Sequence, residues 1–125
     1  DWAAHRLGYE LTVLYGLDHA RTLAVLVPAM LQVRAQGKRQ KLLQYAERIW
    51  GIASGREEER IEKAIHKTSM FFESMGLPTR FSGCDVTNVD IDRIVCMLED
   101  HGMVNLGENN DVTLKMMRKI LELCL

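Results

Sequence analysis

The run LAVLVPAML at residues 23–31 is apolar on every side, and nothing else in the chain constrains the fold as strongly. A helix without a polar face has to be covered all round, so other helices must be laid against it from several directions. At nine residues the run falls well short of the roughly 20 needed to cross a bilayer. It reads as the buried axis of a core and not as a membrane span. Pro28 lies inside it and should kink it, because proline has no N–H to donate and its ring crowds the preceding turn.

The rest of the chain supplies the cover. Apolar residues recur three and four apart almost everywhere, and no stretch shows the sustained alternation of a strand. Six helices are expected. The first runs over residues 2–14 with Leu7, Leu11 and Leu14 inward, and Gly16 stops it. Asp18 caps the second, which carries the apolar run. After Gly37 a third helix turns Leu42, Ala46 and Ile49 inward. Ser54 and Glu57 form a capping box for the fourth, which buries Ile61, Ile65, Phe72 and Met75 and stops at Gly76 ahead of Pro78. Thr87 or Asn88 caps the fifth, with Ile91, Ile94, Val95 and Leu98 inward and Gly102 at its end. Asn110 or Asp111 caps the sixth, with Leu114, Met117, Leu121 and Cys124 inward. Seven methionines fall mostly at such positions and read as core filler, while REEER at residues 56–60 reads as a solvated first turn whose acids suit the helix dipole. The fold class is all-α, a compact helical domain of about six helices.

Composition narrows the function. The chain of 125 residues, 47% of them hydrophobic, is long enough for one domain with a sizeable core and too short for two. Its 16 basic and 17 acidic residues are interspersed, so no basic stripe tracks a phosphate backbone, and nucleic acid is not an expected partner, a helix-turn-helix DNA reader included. Three cysteines without CxxC spacing fit reduced thiols and a cytoplasmic setting better than a disulfide framework. The first residue is Asp1 and helical patterning begins at once, so the N-terminus reads as a cut end.

The remaining chemistry gathers in DWAAHRLGYELTVLYGLDHA, where His5 and His19 flank a helix, a glycine and a turn. Imidazole is the commonest transition-metal ligand, and two on one short segment can form half of a metal site. On one straight helix their Cα atoms would stand roughly 21 Å apart, so a shared ion requires the helix to end between them. Gly16 offers that break, and the five residue steps from Leu14 to His19, at about 3.3 Å each, are just long enough to double back. Spacing permits the arrangement without requiring it. Solvated or hydrogen-bonded histidines would look the same, and no later stretch supplies a third and fourth ligand. His66 has no ligand-type neighbour, and His101 is placed to meet a helix dipole.

The blocks carrying His5, Leu7-Gly8, His19 within GLDHA, and the kinked LAVLVP at residues 23–28 resemble the metal-binding segment of the iron-containing alcohol dehydrogenases. KLLQYAERIWGI, FFESMGLPT and EDHGMVNLGENNDVTL are also similar, in wording and in order, to the branch of NADPH-dependent aldehyde reductases and butanol dehydrogenases. The resemblance covers essentially the whole chain. It implies the helical, metal-binding C-terminal domain of a dehydroquinate synthase-like fold over residues 1–125, with an N-terminal α/β domain, which would bind NADPH or NADH, missing from the chain. It also implies that His5 and His19 are two of four ligands to a divalent metal, Fe2+ or Zn2+, and that an aldehyde or primary alcohol is the substrate. Position 9 is commonly a second active-site histidine in that family, and here it is Tyr9. Its hydroxyl could donate into a substrate or nicotinamide pocket, and a packing role reads equally well.

The implied parent enzyme exchanges hydride between a nicotinamide and a carbonyl carbon, and this chain alone would be inactive. A domain stripped of its neighbour exposes an apolar face, so a homo-oligomer is expected. The alternative is a helical interaction module with incidental histidines.

Overall fold

The computed structural model describes residues 3–86, 88–106 and 111–125. Its helices are α1 (Ala3–Tyr15), α2 (His19–Val33), α3 (Arg39–Trp50), α4 (Glu57–Ser74), α5 (Ile91–Asp100) and α6 (Leu114–Leu123). A 3₁₀ turn occupies Phe81–Cys84. Two short strands, β1 (Asn105–Leu106) and β2 (Val112–Thr113), pair antiparallel with Asn105 opposite Thr113 and Leu106 opposite Val112. The sequence reading contains no strand, because a pair two residues long leaves no alternation to detect. Among the described residues no helix is long and apolar enough to cross a membrane.

The apolar run is the axis it was expected to be. α2 packs against α1, α4 and α6. Ala24, Val25, Leu26, Pro28, Ala29 and Met30 are buried, and Leu23, Val27 and Leu31 are half-buried. α2 continues as one helix through Pro28, whose ring leaves the Ala24 carbonyl without its usual donor one turn on. The main core joins Leu7, Leu11 and Leu17 to Val25 and Leu26, and closes with Phe81, Ile94, Leu98, Met117, Ile120 and Leu121. Cys124 belongs to this core: its thiol donates to the Val25 and Ile120 carbonyls, and burial pushes its pKa up to about 12. No cysteine among the described residues is in a disulfide. A second, smaller cluster of Leu42, Leu43 and Ile61 holds α3 to α4.

Several expectations are corrected at this level. Ile49 and Met75 are each 62% exposed, because the burial of α3 and α4 against their neighbours ends one or two turns earlier, at Ala46 and Thr68. The methionines divide: Met30 and Met117 are buried, Met97, Met103 and Met116 half-buried, and Met70 and Met75 exposed. The Ser54–Glu57 box does not form. α4 begins at Glu57 behind Arg56, which makes no side-chain cap, and Glu57 and Glu58 instead hold Arg39 of α3. Asp90 caps α5 by accepting from the Arg93 N–H at 3.1 Å, in place of Asn88, and Thr87 lies outside the described residues. Thr113 caps α6, while Asp111 accepts from the Arg34 guanidinium at 2.9 Å. Trp2 and Asn110 also lie outside the described residues.

Candidate metal centre

α1 closes at Tyr15, and Gly16 takes φ +68, the left-handed conformation that lets the chain leave the helix at no side-chain cost. Its N–H still donates to the Thr12 carbonyl at 3.0 Å. Leu17 is buried at 4% exposure and pins the return segment. The Asp18 side chain then accepts from the Arg21 N–H at 2.9 Å and starts α2. His19 is therefore the first residue of α2, and three residues suffice to carry it back alongside His5.

The two rings meet with centroids 5.0 Å apart and planes tilted by 47°. An ion about 2.1 Å from one nitrogen of each ring, at tetrahedral or octahedral angles, would set the ring centres roughly 4.6–5.3 Å apart. The donor set as it stands thus fits two neighbouring positions of one coordination sphere. Both histidines are exposed, so an ion could reach them and further ligands could join from outside the chain. Among the described residues no group of three or more His, Cys, Asp or Glu could complete a site.

Tyr9 lies one turn beyond His5 and is 62% exposed. With His5, Arg6 and Met103 it lines an open cleft of about 340 Å³. Arg6 and Met103 escaped the sequence reading. Arg6 is legible in principle, being one residue from His5 and three from Tyr9 on the same helix. Met103 is not, since only the turn after α5 brings it there.

Beneath this face lies Glu10, fully buried. One carboxylate oxygen is 2.6 Å from Nδ1 of His101, and the other is buried without a hydrogen-bond partner. His101 does cap the end of α5, as its position suggested, but it also reaches a residue 91 positions away. His66 lines a separate groove of about 450 Å³ between α2 and α4, with Glu58 and Glu62 among its walls.

The sequence profile described as the Fe-containing alcohol dehydrogenase family, C-terminal, matches residues 1–123. The NADPH-dependent aldehyde reductase YqhD of Escherichia coli is 50% identical over 122 residues, which is 98% of this chain and 32% of that protein. The NADP-dependent alcohol dehydrogenase 3 of Entamoeba histolytica is 38% identical over 63% of this chain and 20% of its own length. The probable NADH-dependent butanol dehydrogenase 1 of Bacillus subtilis is 29% identical over 84% of this chain and 27% of its own. The solved substrate- and cofactor-free form of the E. coli aldehyde reductase superposes with a TM-score of 0.96 at 49% identity, covering 100% of this chain and 33% of that one. The chain spans about a third of the first of these relatives. It belongs to the Fe-containing alcohol dehydrogenase family, as that family's C-terminal part.

Proposed function

We propose that this chain is the metal-holding part of a longer NAD(P)H-dependent alcohol dehydrogenase or aldehyde reductase, acting on a small aldehyde or primary alcohol. The observation that carries the reading is the 5.0 Å approach of the His5 and His19 rings across two different helices. His5 and His19 would hold a divalent metal, Fe2+ or Zn2+, together with two ligands supplied by an N-terminal domain that also binds NADPH or NADH. When bound, such an ion supplies Lewis acidity toward a carbonyl oxygen. The protein's own part is to hold both imidazoles converging and to keep their outward side open to substrate. Tyr9 faces the same cleft with a hydroxyl that can donate a hydrogen bond to a substrate oxygen or to the cofactor. Three free thiols suit a reducing, cytoplasmic setting.

The test uses the chain itself with Cu2+ as probe, the first-row dication that nitrogen sites bind most tightly. One equivalent should bind with two nitrogen couplings in its electron paramagnetic resonance spectrum, and His5→Ala or His19→Ala should each remove that signal. The 125-residue chain should not oxidise NADPH with any aldehyde. Uptake unaffected by both substitutions, or turnover by the pure chain, would refute the reading.

A second component of the proposal rests on Ile49, Met70, Phe71 and Met75, large apolar side chains exposed near one end of α3 and α4. Self-association through them would make the enzyme a homo-oligomer. Sedimentation of Phe71→Lys beside the wild-type chain checks this, and an unchanged monomer–oligomer balance would remove it.

A further inference from the structure

Gly8 occupies the middle of α1, where glycine is about 1 kcal/mol worse than alanine. Its φ is not positive, so conformational freedom does not explain it. Space does. A Cβ at position 8 would stand 2.9 Å from Oγ1 and 3.2 Å from Cβ of Thr22, and 3.7 Å from Cδ1 of Leu26. The first of these is closer than a real Cβ comes to a heavy atom of another element, so α1 and α2 touch here backbone to side chain.

The position of the contact is what gives it a function. Gly8 lies three residues after His5, and Thr22 three residues after His19. The two pairs share one offset in sequence, so the helices advance in the same sense through the site and the Gly8–Thr22 contact lies about one turn beyond both imidazoles. Thr22 is 1% exposed, and its hydroxyl donates to the His19 carbonyl at 2.8 Å, which ties the side chain to the residue that carries the ring. On the other helix the Thr12 hydroxyl donates to the Gly8 carbonyl at 3.2 Å, holding the α1 backbone at the same level.

We infer that the Gly8–Thr22 contact is the spacer that sets the separation of His5 and His19, so that both are positioning residues for the metal half-site. This rests on the metal reading of those histidines. Magnitudes decide the matter. Relieving an alanine methyl at position 8 requires α1 and α2 to part by a few tenths of an ångström, on the order of 0.5 Å, whereas metal–ligand distances hold to within about 0.2 Å. A shift that the core absorbs is therefore one that the coordination sphere does not. Groups that orient metal ligands typically change affinity by about 10–100-fold when altered, and the loss expected here is of that size.

The experiment is Cu2+ binding to the 125-residue chain by competition with a chelator, read beside circular dichroism and thermal melting. The wild-type chain, Gly8→Ala, and Gly8→Ala combined with Thr22→Gly are compared. Gly8→Ala should keep its helical signal, bind Cu2+ at least tenfold more weakly and lose the two-nitrogen signature. The double variant moves the missing side chain to the facing helix and should recover affinity to within a few-fold, whatever its melting temperature. Equal affinity in wild type and folded Gly8→Ala would overturn the inference, as would a double variant no better than the single one. Should Gly8→Ala not fold, Thr22→Ala carries the test: it removes Oγ1, the γ atom that faces Gly8, and should weaken Cu2+ binding several-fold, and unchanged affinity would overturn the inference. A wild-type chain that binds no Cu2+ through His5 and His19 would instead refute the proposed function.

Discussion

The α1–α2 crossing and the α3–α4 pair are both made of neighbouring helices, yet they are built on opposite plans. At the crossing everything below the surface is sealed: Leu7, Leu11 and Leu26 are fully buried, and Gly8 lets the backbones close on each other. Polar chemistry is what remains outside, as His5, Tyr9 and His19. The α3–α4 pair has a small core of Leu42, Leu43 and Ile61, an ion-pair clasp from Arg39 to Glu57 and Glu58, and an end where Ile49, Phe71 and Met75 face solvent. A sealed base supports the histidine pair, and a lightly anchored arm carries the apolar surface.

This contrast can be broken by comparing matched substitutions. Leu26→Ala removes a fully buried side chain from the main core and should cost about 2–5 kcal/mol, measured by urea denaturation. Leu42→Ala in the α3–α4 pair should fall at the low end of that range or below it, because the smaller cluster can collapse around the gap. Equal losses would mean that the α3–α4 pair is as integral to the fold as the base. His101→Ala takes from the buried Glu10 carboxyl group its partner among the described residues and should cost about 1–3 kcal/mol. Adding Glu10→Gln should return part of that loss, since a neutral amide is cheaper to bury than a carboxylate. Asp18→Ala removes the α2 cap and should cost about 1 kcal/mol, with the effect seen as fraying next to His19.

The smallest effect belongs to the clasp. The Glu58 carboxyl is held below the usual carboxylate range, first by its own backbone N–H and then by the Arg39 guanidinium. A carboxyl depressed on folding adds stability above its unfolded pKa and loses it as pH falls through the folded value. The difference between wild type and Arg39→Ala should therefore be present at pH 7, vanish on acidification below about pH 4, and shrink in 1 M salt. Melts across that pH range check it, and a difference that persists at low pH would assign Arg39 a packing role instead.

What could be read from the residues follows the same division. Helix number, the buried axis at residues 23–31 and the stops at Gly16, Gly76 and Gly102 were legible, because apolar spacing and glycine act locally. The break that lets His19 return to His5 was legible too, from Gly16 and a step count. Caps were harder. Asn88 and Asp90 both suit an N-cap, and Asp111 and Thr113 likewise, and in the second pair Asp111 is drawn away by Arg34, 77 positions distant. Periodicity marked Ile49 and Met75 as inward without knowing whether anything lay opposite. Glu10–His101 and Met103 are products of tertiary packing alone, and no local pattern announces them.

Cys124 turns the main core into its own gauge. With no exposed surface and a thiol held protonated well above neutral pH, it can react with an alkylating reagent only when α6 lifts away from α2. Cys96, exposed on α5, reacts in every state and supplies the reference rate. The ratio of the two rates is the opening equilibrium of the carboxyl-terminal helix, readable under native conditions without denaturant.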